Sequence, residues 1–307
     1  MENTQTHAPP KKVRRISKRV LRENIDGWLF ILPVVISLLV FTAYPMYWSL
    51  VLSFREWNPL GQDKFIGLAN YQAILNDKLF FQALGHVLIY ALYTIPAGLV
   101  WGIGVALALQ NIRWRGFFRA LYFLPTVTSS IAISVVWSLI FQPDWGVLNN
   151  VLSFFGIIGP NWLGQTSTAM ASVSIVAVWM GTGYWMVIFL AGLLDIPADY
   201  LDAARVDGAS QLQVFRYVTL PQLTPTIFYY LTSALITVWT MFDIVYVMTK
   251  GGPANATMMP AVHLYTVAWT HLDMGYASAI AWVMALFIFT FTAIHFGFSR
   301  RWVSYER

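Results

Sequence analysis

The chain has 307 residues, of which 58% are hydrophobic and only 11% charged, with a formal net charge of +5 and a mean hydropathy of +0.60. So apolar a chain cannot cover a soluble core with polar surface, which excludes an ordinary soluble globular fold and places the protein in a bilayer. Cysteine is absent, so disulfide and thiol chemistry are excluded too.

The chain opens with a basic stretch, "KKVRRISKRVLRE", ahead of an apolar run from Trp28 to Phe54. The pair looks like the start of a secretory signal, but the run is longer than a signal core and no small-residue cleavage site follows it, so an anchored span is expected. A hydrocarbon core about 30 Å thick needs about 20 apolar helical residues per crossing. Five more runs meet that length: His86 to Gln110, Leu121 to Gln142, Ala169 to Leu194, Pro225 to Thr249 and Tyr276 to Phe298. Six crossings put both termini on one side. Of the 19 Lys and Arg residues, 15 lie in the two tails and in the segments after the second and fourth runs; Arg55, Lys64, Lys78 and Lys250 lie on the other side. By the positive-inside bias the tails are cytoplasmic, and the basic tail is read as a topology signal attracted to anionic lipid rather than to nucleic acid.

Signals for catalysis are weak. No phosphate-binding GxxxxGK[ST] and no HExxH occurs, and the five histidines form no metal-spaced cluster, so no metal site is expected. The GxG within "WMGTGYW" (179 to 185) sits inside an apolar run and follows no strand, so it is not a dinucleotide fingerprint. Asp243 is the one carboxylate well inside a run. A proton-coupled carrier usually needs more than one acid for its relay, which leaves gradient-driven transport as the weaker alternative.

Between the fourth and fifth runs lies a polar interlude containing "DAARVDGASQLQVF", Asp202 to Phe215. Pro197 presets the backbone for a short helix through Leu201, Ala203, Ala204 and Arg205, and Gly208 supplies the left-handed turn that ends it. Ser210 and Gln213 have capping-box spacing, which starts a second helix with Leu212, Phe215 and Val218 on one face before Pro221 stops it. Two short helices at an angle, with an apolar edge, are thus expected on the cytoplasmic side.

The run Asp202-Ala203-Ala204, three residues, Gly208, nine residues, then Val218, Leu220 and Pro221 resembles the EAA loop of ABC-importer permeases. It carries Asp where that pattern has Glu and Val where it has Ile. The stretches "FIGLANY" (65 to 71), "RGFFRALYFLP" (115 to 125), "WGVLNN" (145 to 150) and "FDIVYVMTKGGPANAT" (242 to 257) are similar to the maltose-type sugar permeases, the group that includes the glycerol-phosphate and lactose permeases. The resemblance implies an all-α, six-helix permease of the type I importer (MetI-like) fold over 28–298, with cytoplasmic tails at 1–27 and 299–307 and a coupling loop at 196–221. It further implies a non-catalytic subunit working with a second homologous permease, two ATPase subunits that bind the ATP and magnesium, and an extracytoplasmic solute-binding protein. The family's contacts with the ATPase would fall on Asp202, Ala203, Ala204, Asp207, Gly208, Phe215 and Pro221. Its sugar-lining positions would fall on Thr126, Trp179, Met180, Gly181, Tyr184, Thr237 and Val238. Trp179 and Tyr184 are separated by about 140° around a regular helix, so both meet one cavity only if it is wide or if Gly181 and Gly183 distort the helix.

Overall fold

The structure is a computed structural model that describes residues 18–110, 112–299 and 301–303. Most of the basic tail (1–17), Asn111, Arg300 and the last four residues lie outside the described residues. Helix α1 (Lys18–Leu38) continues through a π-helical turn (Leu39–Ala43) into α2 (Tyr44–Leu52). Asn24–Leu52 is long and apolar enough to cross a membrane, and Phe30 and Phe41 are 85% and 77% exposed. A helix apolar on all sides is what a lipid environment favours. This segment, to Val51, is a compact unit of its own.

The second unit starts at Leu52 with a small hairpin, β1 (Arg55–Trp57) and β2 (Asp63–Phe65), in which Arg55 lies opposite Phe65. Asn70, of the "FIGLANY" stretch, lies in α3 (Ala69–Asn76) and donates to the Ser53 and Arg55 carbonyls at 3.0 Å each. Then come α4 (Lys78–Gln110), α5 (Arg115–Val127), α6 (Ser130–Ile140), α7 (Val147–Phe154) and α8 (Ala169–Leu194). The polar interlude forms α9 (Ala198–Val206), α10 (Gln211–Val214), a π-helical turn (Phe215–Thr219) and α11 (Leu220–Gln222). The chain ends with α12 (Thr224–Trp239), α13 (Asp243–Met248), α14 (Pro260–Tyr265), a third π turn (Thr266–Thr270) and α15 (Met274–Ser299).

The chain is therefore an all-α membrane protein, as composition requires, but two of the six expected runs are not continuous rods. Among the described residues, four helices are long and apolar enough to span, and α5 with α6 makes a fifth only across a 99° bend. Pro125 removes an amide from the last turn of α5, and Thr128 leaves the helix at ψ 149°. The fifth expected run breaks as well: α12 ends at Trp239 after 16 residues, and Phe242, at φ −132°, separates it from α13. Asp243 thus lies at a helix start rather than inside a span.

Packing is led by α4 against α8. Gly102 lets the Phe189 ring approach to where a Cβ would be only 3.0 Å away, and the Tyr230 hydroxyl of α12 donates to the Ile95 carbonyl at 2.7 Å. Hydroxyls at membrane depth are satisfied internally: Ser134, Ser174, Thr182 and Thr232 each donate to the carbonyl four residues back. At the Lys78 end of α4, Asp77 caps the helix by accepting from the Leu79 and Phe80 amides, and its Oδ2 accepts from His263 Nε2 and the Tyr276 hydroxyl, both at 2.8 Å. One carboxylate thereby ties α4, α14 and α15 together. Its burial raises the Asp77 pKa, but the bonds from Phe80, Tyr276 and His263 outweigh that and hold it below the usual carboxylate value.

Candidate functional site

The polar interlude folds into two short helices joined at a sharp turn. Helix α9 begins at Ala198, with Pro197 just outside it in extended conformation, so the proline precedes the helix rather than opening it. Gly208 has φ +78°; its amide donates to the Arg205 carbonyl and the Ala209 amide to the Ala204 carbonyl, each at 3.0 Å. That pair of bonds is a Schellman C-cap, which requires the left-handed residue. Ser210 then caps α10 with the full capping box, its amide donating to Gln213 Oε1 at 2.7 Å.

Beyond α10 the expectation from sequence fails in one respect. Pro221 does not stop the helix: the π-helical turn over Phe215–Thr219 precedes it, and the chain continues through α11 into α12. The extra residue in that turn also splits the expected face. Phe215 turns inward to pack with Ile196 and Leu220 against the core, whereas Leu212 remains 74% exposed. The apolar edge left open is Val206, at 86% exposed, with Leu212, Tyr217 and Tyr200. Asp202, Ala203 and Asp207 are exposed alongside it, and Asp202 forms an ion pair with Arg205 at 2.8 Å. Exposed pairs of this kind contribute little to stability, so Asp202 is free to exchange partners.

At membrane depth the expected lining residues divide between faces of α8. Gly181, Thr237 and Val238 border one cavity of about 130 Å³ between α4, α8 and α12, together with Tyr90, Trp185 and Tyr230. The Thr126 hydroxyl donates to the Met180 carbonyl at 3.2 Å, joining α5 to α8. Tyr184 lies elsewhere, its hydroxyl 3.0 Å from that of Tyr229. Trp179 points away from the cavity, packing edge-on against Trp137 with centroids 5.5 Å apart and bordering an apolar groove with Tyr93 and Trp101. Helix α8 runs unbroken through both glycines, so no distortion brings Trp179 and Tyr184 together. The glycines differ in environment. A Cβ on Gly183 would fall on the Tyr122 carbonyl oxygen of α5, whereas one on Gly181 would meet only Trp185, at 3.7 Å.

Three residues at these sites escaped the sequence reading: Tyr229, Tyr230 and Ser130. The Ser130 hydroxyl donates to Asp243 Oδ2 at 2.7 Å, joining the first residue of α6 to that of α13. The paired tyrosines in "IFYYL" were a signal for the first two; nothing in the sequence announced the third.

Residues 95–304 match the family described as binding-protein-dependent transport system inner membrane component. The chain is 37% identical over 296 residues to a probable ABC transporter permease, YesP of Bacillus subtilis, covering 94% of this chain and 95% of that one. It is 33% identical to the lactose transport system permease LacF of Rhizobium radiobacter (89% and 93% covered). It is 32% identical to the trehalose/maltose transport system permease MalF of Thermococcus litoralis (91% and 95% covered). Its fold superposes on a chain of a bacterial ABC transporter involved in alginate import, with a TM-score of 0.81 at 21% identity, covering 94% of this chain and 100% of that one. The chain belongs to the family of binding-protein-dependent transport system inner membrane components, the permease subunits of ABC transporters.

Proposed function

We propose that the chain forms one half of the translocation pathway of a sugar or oligosaccharide importer, paired with a second, homologous permease. One of the complex's two ATPase subunits docks on α9 to α11 of this chain, the other on the partner permease, and a solute-binding protein delivers sugar from outside. Both termini lie in the cytoplasm. The chain itself is non-catalytic and carries no cofactor, ATP and magnesium being held by the ATPase. The observation that supports this most is the capped, angled helix pair with Val206 and Leu212 left uncovered on it, an apolar edge too exposed to be explained without a protein cover.

The pathway half rests on size. The cavity bordered by Gly181, Thr237 and Val238, about 130 Å³, is smaller than the roughly 300 Å³ at which small-molecule pockets begin, so a disaccharide held there needs walls from a second chain. A sugar cargo is favoured by the names of the lactose and trehalose/maltose permeases among the relatives and by the aromatic and hydroxyl lining. The reading is tested by expressing the chain with its partner permease, an ATPase and the binding protein, and measuring uptake of labelled disaccharides with and without ATP. Uptake that needs ATP and is lost without the ATPase is expected. Uptake by the chain alone, following a proton or sodium gradient, would overturn the reading.

A further inference from the structure

Asp243 is not absorbed by the sites above, and its surroundings have a composition of their own. On α13, Ile244, Val245 and Met248 are buried, while Asp243 is exposed and Tyr246 lies one turn further along that open side. The Phe242 and Tyr246 rings stack with centroids 5.0 Å apart, and Tyr265 of α14 closes the group at 5.0 Å from Phe242 and 4.9 Å from Tyr246. Ser130 occupies Oδ2 of the carboxylate. Among the described residues, no ion pair joins Asp243 to a cation, and Oδ1 has no hydrogen-bond partner. An exposed carboxylate between two helix breaks within apolar runs cannot face lipid without a large penalty, so this side borders water.

We propose that Asp243, Tyr246 and Tyr265, with Ser130, form a carbohydrate contact on the pathway wall that accepts uncharged sugars and disfavours acidic ones. The proposal rests on the sugar-importer reading above. Each part follows from its chemistry. The aromatic faces stack on the C–H face of a pyranose ring, and Oδ1 accepts hydrogen bonds from sugar hydroxyls, which are donors in every neutral sugar. The carboxylate of a uronic acid, brought to the same place, meets a like charge that no cation among the described residues offsets. If Asp243 served only to join α6 to α13, a neutral acceptor would suffice, and Asn supplies one.

Asp243→Asn therefore separates the two roles, since its amide oxygen can still accept from Ser130 while the charge is gone. The assembled transporter, in nanodiscs without its binding protein so that the latter's selectivity does not mask the wall's, is titrated with maltose, lactose, trehalose and a mannuronate disaccharide by saturation-transfer NMR. Wild type is expected to prefer its best neutral sugar, and Asp243→Asn to shrink the neutral-to-acidic preference by on the order of tenfold. Tyr246→Ala is expected to weaken neutral binding by about three- to tenfold, with Tyr246→Phe near wild type. Unchanged discrimination in Asp243→Asn, or unchanged neutral binding in Tyr246→Ala, overturns the proposal alone when wild-type cells take up a neutral sugar with ATP. Wild-type cells that take up no carbohydrate overturn the importer reading, and the proposal with it.

Discussion

Gly208→Val isolates the backbone geometry of the turn between α9 and α10. At φ +78° a Cβ would meet no atom within 4 Å, so volume is not the constraint. What a side chain costs there is conformation, about 1–3 kcal/mol for a non-glycine residue held in the left-handed region, and most for a β-branched one. That energy corresponds to a roughly 5- to 150-fold loss in the population of the turn. Losing the turn breaks the bonds from the Gly208 and Ala209 amides to Arg205 and Ala204 and separates the exposed Val206 from Leu212. Gly208→Val is expected to insert and accumulate normally, to retain less ATPase on affinity purification, and to lower uptake by about tenfold or more. Gly208→Asn should keep most function, because Asn tolerates the left-handed region. Normal uptake by a fully expressed Gly208→Val complex would sink the argument, and so would an Asn variant as impaired as the Val one.

Because the chain has no cysteine, single cysteines at Gly61, Ala254 and Gln211, all exposed, report topology directly: an impermeant thiol reagent added outside should label the first two and not the third, and the reverse pattern would overturn the importer orientation. Asp77 titrates below the usual carboxylate value, so its contribution is full above about pH 4 and is lost as pH falls through its lowered native pKa. Asp77→Asn should lower the thermal midpoint at neutral pH, by about 1–3 kcal/mol of stability, and narrow its gap to wild type in acid; equal midpoints at all pH values would contradict the bonding to His263 and Tyr276. Gly183→Ala should destabilise by about 1–3 kcal/mol by forcing α5 off α8, while Gly181→Ala should be nearly neutral, and thermal midpoints that rank them the other way would refute the close approach of Tyr122.

How much of this was legible in sequence depends on how far the relevant contact lies along the chain. The turn at Gly208 and the Ser210 capping box were readable because every hydrogen bond in them spans five residues or fewer. The length and apolarity of α4, α8 and α15 were readable for a similar reason, since hydropathy is a property of one segment. The break at Thr128 was not, although Pro125 stood beside it, because a proline in an apolar helix is tolerated wherever neighbours re-satisfy the backbone. The π turn before Pro221 is the same case in reverse: a proline expected to stop a helix is accommodated by one extra residue.

The expected lining residues were harder still, because they are fixed by direction and not by type. Helix α8 is apolar on every side, so its sequence does not say which face meets lipid, which meets α4 and which meets water. Gly181 and Gly183 look alike in the sequence, and their difference is set by a carbonyl 61 residues before the second of them, at Tyr122. Exposed apolar side chains do not resolve the matter, since lipid and a partner helix are equally apolar covers. Exposed polar groups do resolve it, because in hydrocarbon they would be left without partners. By that criterion the Asp243 carboxylate, with only one oxygen bonded among the described residues, marks a side of the unit that does not face lipid, whereas the Tyr184 and Tyr229 hydroxyls partner each other and make no such demand. The groove beside Trp179, walled by Tyr93, Ala97, Trp101 and Ile175, makes no such demand. The proposed route therefore runs past α12 and α13, and Trp179 bears on it through its packing with Trp137 on α6.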